Sequence, residues 1–533
     1  MWSSTGRVSV ATPPVSVVMV IVVQYWSSWH AGGSGEESYF ICRKGIRRER
    51  FGNNARCCGT NLSSNDETYR GWSGIYDIIL KELEKTKRIY QPIFVILSKK
   101  KWGKFSILVK KQFLINYRHF IWHNWFKKTF ICLGKTYPTN SQVADSACSA
   151  TAYLCGVKGN LGTIGVDVNV NREDCSAMNN PEFQTPSIAK WFQDAGRSSG
   201  IVTTMRVTHA SPAGAYAHIA DRSWEDDHYV ADDGWSTEEC DDIAEQLILG
   251  DPGKDFKVIM GGGRRGLFPN TDYDVEADHH GYRHDGKNLI NSWLEDKTSR
   301  GASAAYVWNR EDLLTTNMND TDYLMGLFAH SHMDYLVERD STMDPSLPEM
   351  TRAAIQVLRK DDNGYFLFVE GNFVDDYFSK NHSIKLRAKS LRKKKSLDIM
   401  QSEIREDTLI LVTADHAHSM TVNGYPARHT DILGYGDTSN EDDLPYTTLL
   451  YGNGPGYIEK RYDISNDDFH DVDYRQNSAV PYSTSAHAGD DIGLWAVGPH
   501  AHLFTGVYEQ NYIPHALAYA SCVGDGLTFC NNK

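Results

Sequence analysis

The C-terminal part of the chain alternates short β-branched and aromatic runs with longer segments of helical period, separated by Gly and Asp. The runs with the strongest strand character cover residues 200–207, 256–260, 365–369 and 408–413. Such alternation is typical of α/β proteins, in which helices cover a parallel sheet. We predict a three-layer α/β/α fold with a central, mostly parallel sheet and a small cap subdomain at residues 425–490.

The N-terminal region follows a different pattern. An apolar run at residues 15–23 follows Arg7 and precedes small residues at 31–33, which is the layout of a signal peptide over residues 1–33. The run is too short to span a bilayer. A buried strand explains the same run equally well, so the sequence leaves both interpretations open.

A second atypical segment, residues 92–131, is rich in Lys, Phe, Ile, Asn and Tyr and keeps no helical or strand period. It lies within an acid-free stretch between Glu84 and Asp145. One interpretation is a basic, aromatic surface for anionic lipid or nucleic acid. Because the codons of these residues are AT-rich, we favour a non-homologous insert, such as translated non-coding sequence. We therefore divide the chain into an atypical region, 1–131, and an α/β domain, 132–533.

Composition narrows the classes of function. The 533 residues carry a formal net charge of -13, whereas nucleic-acid-binding domains are usually basic. We therefore predict that nucleic acid is not a partner. The 10 cysteines are few for a chain of this length and include no CxxC pair. This count argues against a structural zinc site and favours a few disulfides in an exported protein.

Polar side chains follow several of the predicted strands, at the edge where open α/β sheets bind ligands. These side chains are His209 with Ser211, Glu370, Asp415 with His416, and His487 in a later loop. A carboxylate beside an imidazole at a strand end can supply oxygen and nitrogen ligands to zinc. Ser146 follows Asp145 where a loop enters a helical run. Taken alone, that pair is more commonly an N-cap than a catalytic feature.

The motifs QVADSACSATAYLCGVKGN, GIVTTMRVTHASPAGAYAHIADRSW, VIMGGGRRGLFP, FLFVEG, LVTADHAH and LLYGNGPGY occur in this order. Together they resemble the alkaline phosphatase family, and the resemblance extends over residues 133–530. It implies a phosphomonoester hydrolase that acts through a phosphoserine, and a homodimer. Release of inorganic phosphate would follow by double displacement.

The resemblance also implies roles for individual residues. Ser146 resembles the nucleophile, and Arg222 resembles the arginine that grips the phosphate with its bidentate fork. Two zinc ions and one magnesium ion are implied as cofactors, because metals activate the serine and stabilise the leaving oxygen. The implied ligands are Asp415 and His416 for one zinc, Asp375 and His487 for the other, and Glu370 and Ser211 for magnesium, with His209 in its outer shell.

Two departures from the family pattern affect the metals. The family takes a bridging aspartate from a Gly-Asp-Gly turn upstream of the nucleophile, and the acid-free stretch offers no carboxylate in its place. Ser379 stands where the family places a zinc-ligating histidine. Because ligand count sets metal affinity, these departures predict weak metal binding and low hydrolysis. The alternative function is a catalytically inactive pseudophosphatase that acts as a binding protein.

A calcium site of the family is only partly matched. Glu276, Phe328 and Asp344 fall at its positions, but Ala329 replaces an expected glutamate. Calcium is therefore the weakest of the implied cofactors.

Further expectations concern processing and location. The resemblance implies disulfides between Cys175 and Cys240 and between Cys522 and Cys530. Glycosylation tripeptides begin at Asn61, Asn319 and Asn381. These features favour a secreted protein or one on the outer face of the plasma membrane. Membrane association is implied by the resemblance, although the chain ends at Lys533 without an apolar tail, so we expect no anchor signal.

Overall fold

The computed structural model describes residues 15–21, 96–99, 105–108, 130–334, 338–371, 407–471, 473–526 and 530. The chain divides into two compact units, one formed by Met1–Gly33 together with Lys127–Lys533 and the other by Ser34–Phe126. The predicted boundary at residue 131 falls inside a strand, Phe130–Lys135. The N-terminal apolar run belongs to the first unit, with the phosphatase-like motifs.

The described strands form one large sheet and several two-stranded ones. In chain order they are β1 (Ser16–Ile21), β2 (Ile96–Lys99), β3 (Phe105–Leu108), β4 (Phe130–Lys135), β5 (Ser198–Arg206), β6 (Val258–Gly262), β7 (Tyr273–Asp274), β8 (His279–His280), β9 (Ala304–Val307), β10 (Tyr323–Leu327), β11 (Tyr365–Glu370), β12 (Thr408–Thr413), β13 (Ala417–His418), β14 (Met420–Val422), β15 (Tyr435–Thr438), β16 (Pro445–Thr447), β17 (Leu449–Tyr451), β18 (His487–Ala488), β19 (Ile492–Val497) and β20 (Gly506–Glu509). Strands β2 and β3 form an antiparallel pair in the second unit.

Helices flank the large sheet. In chain order the described α-helices are α1 (Ser146–Ala150), α2 (Cys175–Met178), α3 (Ile188–Asp194), α4 (Ala210–Ala213), α5 (Asp227–Asp232), α6 (Ile243–Ile248), α7 (Leu289–Ser299), α8 (Arg310–Thr315), α9 (Leu347–Leu358) and α10 (Tyr512–Ser521). A π-helical turn, Thr151–Cys155, continues α1, and short 3-10 turns lie at Gly253–Asp255, Arg264–Gly266, Ala501–Leu503 and Gly524–Gly526.

The large sheet has the strand order β20-β4-β19-β12-β1-β11-β5-β6-β10-β9. Its described pairs are parallel except those of β19, which runs antiparallel to both β12 and β4. Alternate residues of the central strands point into two separate cores. Met19 and Phe368 lie in one core, and Val18 and Val369 lie in the other. A sheet that is apolar on both faces must be covered on both faces, so the predicted α/β/α layering is confirmed.

Helix α9 shows how the local sequence defines a covering layer. Ser346 caps its start, and Glu349 completes a capping box with Ser346, while Pro348 lies in the first turn. This arrangement satisfies the N–H groups that a helix leaves unpaired at its start. Met350 and Ile355 lie on its buried face and join the core that contains Val369.

Strand β1 lies in the middle of the sheet, parallel to β11 on one side and to β12 on the other. Ile21 stands in register with both Glu370 and Thr413. This placement favours the buried-strand interpretation of the N-terminal run over a cleaved signal peptide. Cleavage after residue 33 would remove a strand whose backbone is hydrogen-bonded on both sides.

The cap region has small sheets and a core of its own. The pairs β14–β17 and β15–β16 are antiparallel. Met420, Leu433, Leu449 and Tyr451 form a separate apolar cluster there. Within the described residues, no helix is both long and apolar enough to cross a membrane.

Two disulfides, Cys175–Cys240 and Cys522–Cys530, are present as expected. Cys132, Cys148 and Cys155 are buried free thiols. Asn319 is exposed, whereas Asn61 and Asn381 lie outside the described residues.

Asp226, which caps α5, is a buried carboxyl group with 1% exposure. Its Oδ1 atom accepts no hydrogen bond from the described residues. Burial, together with the neighbouring carboxylates of Asp242, Glu225 and Asp227, raises the pKa of Asp226 to about 7 against the opposing effect of Arg283. The folded protein therefore holds the proton of this group more tightly than the unfolded chain does.

Replacing both Cys175 and Cys240 by serine should lower the free energy of unfolding by about 4 kcal/mol, because the reduced chain regains the freedom of a long loop. The bridge spans 65 positions. The control is the Cys522→Ser/Cys530→Ser double variant, whose bridge spans 8 positions and should contribute about 2.5 kcal/mol. Denaturant titrations measure both losses, and a larger loss for the short loop would contradict this prediction.

Asp226→Asn should stabilise the protein at pH 8 by on the order of 1–3 kcal/mol, the usual cost of a buried unsatisfied group. A carboxyl group with a raised pKa destabilises the fold as pH rises from its unfolded value to its folded value. The gain should therefore fade between pH 7 and pH 4. Asp362→Asn, at an exposed position, is the control. A gain at pH 4 equal to that at pH 8 would refute the titration argument.

Candidate active site

Ser146 is the first residue of α1, and Asp145 caps this helix. The Asp145 Oδ1 atom accepts a 3.2 Å hydrogen bond from the Cys148 N–H, which is why the helix begins here. Ser146 is fully buried, and its Oγ lies 3.0 Å from His416 Nε2. The residue predicted as nucleophile thus contacts a residue predicted as a zinc ligand.

Strand direction brings the other predicted residues to the same edge of the sheet. Strands β11 and β12 are both parallel to β1, so Glu370, the last residue of β11, and Asp415, just beyond β12, lie at neighbouring strand ends. Strand β19 runs the opposite way, so the segment that precedes it reaches this edge as well. That segment carries His487.

Three histidines meet at this edge. Strands β13 and β18 pair antiparallel with His418 opposite His487. His416, His418 and His487 each offer a ligand atom, and these atoms lie within 4.8 Å of one another. His416 and His418 are buried and His487 is half-buried. His418 was not among the predicted ligands, although its spacing from His416 in the sequence Asp-His-Ala-His was a usable signal.

The Asp415–His416 loop is fixed by a residue that the sequence analysis missed. The Gln510 Nε2 atom donates hydrogen bonds to the carbonyl oxygens of Asp415 at 2.8 Å and Ala414 at 3.3 Å. Gln510 is wholly buried. It lies 95 positions from Asp415, so no local sequence pattern points to it. Asp415 Oδ2 is 3.1 Å from His416 Nε2.

Arg222 is held by Asp145, the residue that precedes Ser146 in the sequence. Its Nη1 atom donates to Asp145 Oδ2 at 3.0 Å, and its Nη2 lies 3.3 Å from His209 Nε2. Although burial opposes ionisation, the Arg222 guanidinium and the hydrogen bonds from Cys148 and Gly162 lower the pKa of Asp145 to about 2. Asp145 is therefore an anion that orients Arg222, a role the sequence did not indicate.

His209 lies behind Arg222 and is neutral. Burial lowers the pKa of His209 well below its ordinary value, and the positive charges of Arg222 and Arg206 lower it further. Since a guanidinium can only donate, His209 Nε2 accepts from Arg222, and the ring proton is on Nδ1. His209 therefore supports the arginine, and its predicted place in the outer shell of magnesium stays a prediction.

The predicted magnesium residues surround a buried tyrosine. Glu370 and Ser211 are both wholly buried, and Thr203 Oγ1 donates to Glu370 Oε2 at 2.7 Å. Burial raises the pKa of Tyr153 well above its ordinary value, and the carboxylates of Asp415 and Glu370 raise it further. The Ser211 hydroxyl has the opposite, smaller effect on the same tyrosine. Oxygen atoms of the kind that magnesium prefers are therefore gathered near Asp415.

The donor atoms fit a metal ion. Ser146 Oγ and Asp415 Oδ2 lie 3.0 and 3.1 Å from His416 Nε2. Zinc binds such ligands at about 2.0–2.1 Å in a tetrahedron, which places neighbouring ligand atoms about 3.3 Å apart. The buried carboxylates of Asp415 and Glu370 also favour a divalent cation at this edge.

The remaining predicted metal positions are either outside the described residues or paired with other side chains. Asp375 and Ser379 lie outside the described residues. At the calcium positions, Glu276 pairs with the buried Arg264 guanidinium, which also binds Asp274 Oδ2 at 2.9 Å.

Comparison with known proteins shows what this chain is similar to. A family model described as "Alkaline phosphatase" matches residues 122–523. The chain is 44% identical over 404 residues to a membrane-bound alkaline phosphatase of Bombyx mori, covering 75% of this chain and 73% of that protein. It is 43% identical over 413 residues to the human tissue-nonspecific isozyme of alkaline phosphatase, covering 76% and 78% of the two chains.

Solved structures are similar in fold. The alkaline phosphatase of Thermus thermophilus gives a TM-score of 0.51 at 20% identity and covers 75% of this chain and 84% of its own. A His 135 Asp mutant of TAB5 alkaline phosphatase with Mg bound gives 0.50 at 20% identity and covers 75% and 90%. With Ser146, Arg222 and the histidines gathered at one sheet edge and three quarters of its length matched, the chain belongs to the alkaline phosphatase family.

Proposed function

We propose that this chain hydrolyses phosphate monoesters through a phosphoserine at Ser146. The observation that carries the proposal is the 3.0 Å contact between Ser146 Oγ and His416 Nε2, with Arg222 anchored on the adjacent Asp145. The proposed nucleophile, a histidine of the proposed metal site and the proposed phosphate-binding arginine are thus linked by direct contacts. The enzyme class follows from the family.

The reaction proceeds in two displacements. Ser146 Oγ gives its proton to water, attacks phosphorus and forms an Oγ–P bond, while the ester P–O bond breaks and the alcohol leaves with a proton from water. A second water then attacks the phosphoserine, the Oγ–P bond breaks, and inorganic phosphate leaves as Ser146 regains its proton. Arg222 binds two phosphate oxygens through its fork and holds phosphorus in line with Ser146.

Zn²⁺ and Mg²⁺ are the proposed cofactors, and they would supply a deprotonated serine and charge stabilisation. Asp415 and His416 would hold one zinc, and His487 with Asp375 the second zinc that the family pattern implies. Glu370 and Ser211 would hold magnesium, with His209 as a supporting residue behind Arg222. Calcium is not among the proposed cofactors, because the carboxylate of Glu276 forms an ion pair with Arg264.

The proposed setting is extracellular, in solution or on the outer face of the plasma membrane. Two disulfides support it, since such bridges persist in oxidising compartments. Exposed Asn319 is a proposed glycosylation site. A homodimer is proposed from the family resemblance alone.

A binding protein without turnover is the second candidate, and one observation favours it. Strand β1 ends between Glu370 and the Asp415 loop, and the residues that follow it are Val22, Val23 and Gln24. None of these three residues is a carboxylate that could bridge metals held by the two neighbouring strands. Such a protein would bind phosphate without forming phosphoserine.

Purified full-length protein loaded with Zn²⁺ and Mg²⁺ should release p-nitrophenol from p-nitrophenyl phosphate, more slowly than the human tissue-nonspecific isozyme assayed in parallel. Ser146→Ala should lower kcat about 10³-fold or more, because it removes the nucleophile. Ser149→Ala is the matched control, since Ser149 is a buried serine of the same helix whose Oγ contacts no described partner. Turnover that persists in Ser146→Ala would refute the proposal.

Trapping separates the two candidate functions. Wild-type protein incubated with inorganic phosphate at mildly acid pH should gain one phosphoryl group by intact mass, on the peptide that contains Ser146. Phosphate binding by calorimetry without turnover or phosphorylation would instead identify the binding protein.

Arg222→Ala should weaken inhibition by inorganic phosphate about 10–100-fold, the effect of losing charge-assisted hydrogen bonds. Asp145→Asn should have a smaller effect of the same sign, because Arg222 loses its anionic anchor. Arg172→Ala is the control. Arg172 pairs with Asp221 Oδ2 at 2.5 Å, and Asp221 is the residue before Arg222 in the sequence. Equal inhibition constants for Arg222→Ala and wild type would exclude Arg222 from the phosphate site.

A further inference from the structure

A cavity of about 360 Å³ lies between the start of α3 and the segment that follows α4. Its lining comes from four stretches of chain, within residues 181–187, at 190, within 214–218 and at 251–252. None of the residues proposed for the phosphatase site is among them. The volume is in the range of about 300–1,000 Å³ that small-molecule sites occupy.

The walls of this cavity are partly apolar and are held in place by hydrogen bonds. Tyr216 and Pro252 are buried residues of the lining. The Tyr216 hydroxyl donates to the Val207 carbonyl oxygen at 2.8 Å. The Gln246 side chain accepts from the His218 N–H at 2.8 Å and donates to the His218 carbonyl oxygen at 3.2 Å. The cavity is thus formed before any ligand enters, so binding costs little ordering of the protein.

The imidazole of His218 supplies a hydrogen-bond acceptor to the lining. His218 Nδ1 lies 2.6 Å from the Gly165 carbonyl oxygen. A carbonyl oxygen can only accept, so the ring proton is on Nδ1 and Nε2 keeps its lone pair. Among the described residues, Nε2 has no hydrogen-bond partner. Burial lowers the pKa of His218, so the ring is neutral at pH 8 and does not attract an anion.

The charged side chains at this cavity carry more negative than positive charge. Lys190 Nζ lies 3.3 Å from Asp251 Oδ2 and also pairs with Asp194, the last residue of α3. One ammonium is therefore shared by two carboxylates, which leaves it little attraction for an anionic ligand. The Asp251 side chain is 50% exposed, so a ligand can reach it from solvent. Its charge acts on His218, opposing the effect of burial on the pKa of that ring, so the two acceptors are near each other.

We propose that this cavity binds a small primary amine, in its protonated form and with a short apolar stem. The ammonium group donates to His218 Nε2 and to the Asp251 carboxylate, and the stem lies against Tyr216 and Pro252. An ammonium has three donors and no acceptor, so it matches two groups that accept. A phosphate or carboxylate would instead meet the His218 lone pair and the Asp251 charge, which both repel it. The site is independent of the proposed phosphatase function, so either proposal can fail without the other.

The first test compares n-butylamine with 1-butanol, its neutral counterpart, on full-length protein loaded with Zn²⁺ and Mg²⁺. Titration at pH 8 in a buffer without amines, followed by saturation-transfer NMR of the probe, should give a Kd on the order of 1 mM for the amine. The alcohol should bind about tenfold more weakly, because it lacks the charge. Excess inorganic phosphate should leave the amine Kd unchanged. Equal binding of the alcohol, or loss of amine binding in phosphate, would overturn the proposal.

The second test locates the bound amine with variants. Asp251→Asn should raise the butylamine Kd about tenfold, because a neutral hydrogen bond replaces a charge-assisted one. His218→Asn removes the acceptor at Nε2, whereas its amide can still donate to Gly165, and should raise the Kd about fivefold. Asp255→Asn is the matched control, since Asp255 pairs with Arg300 and does not line the cavity. An unchanged Kd in folded Asp251→Asn, or an equal loss of affinity in Asp255→Asn, would place the amine elsewhere and refute the site.

Discussion

The backbone ladder that holds β1 between β11 and β12 is the constraint on which the site depends. Parallel pairing places Ile21 level with Glu370 and Thr413, so the segments that leave these strands start from one line. The reversed strand β19 then brings His487 back to the same edge. A register slip of one residue would turn every side chain of a strand to the opposite face, and the donors would separate.

Charged side chains fix the positions of the nucleophile and of the phosphate-binding arginine at this edge. Asp145 serves two purposes, since one carboxylate oxygen caps the nucleophile's helix and the other anchors Arg222. The nucleophile and the phosphate-binding cation therefore cannot shift independently of each other. His209, kept neutral by burial and by two guanidinium groups, accepts from Arg222 without competing for phosphate. The arginine is thus preorganised for its ligand, and its ordering entropy is lost on folding instead of on binding.

The sequence predicted what depends on local pattern. Strand ends near residues 206, 370 and 413 followed from hydrophobic runs, and the residues beyond them identified much of the site. The N-terminal run stayed ambiguous because a short apolar segment has the same appearance in a leader and in a buried strand. The absent carboxylate was inferred from residues 85–144, whereas the strand that ends level with Glu370 and Thr413 is β1. Gln510 and Asp145 act through contacts between distant segments, which periodicity does not encode, whereas the spacing of His418 from His416 was visible in the sequence.

The metal count links these features to the rate of the reaction. A bridging carboxylate holds two divalent cations close together by offsetting their repulsion, which is about 4 kcal/mol at 4 Å even in water and several-fold larger near a protein interior. Without such a bridge, the proposed site would hold its two cations less tightly. A cation held by Asp415 and His416 would still polarise the Ser146 hydroxyl, which is the demanding requirement of the first displacement. Arg222 would orient the phosphoserine for attack by water, so loss of the more weakly held cation would slow hydrolysis of the intermediate.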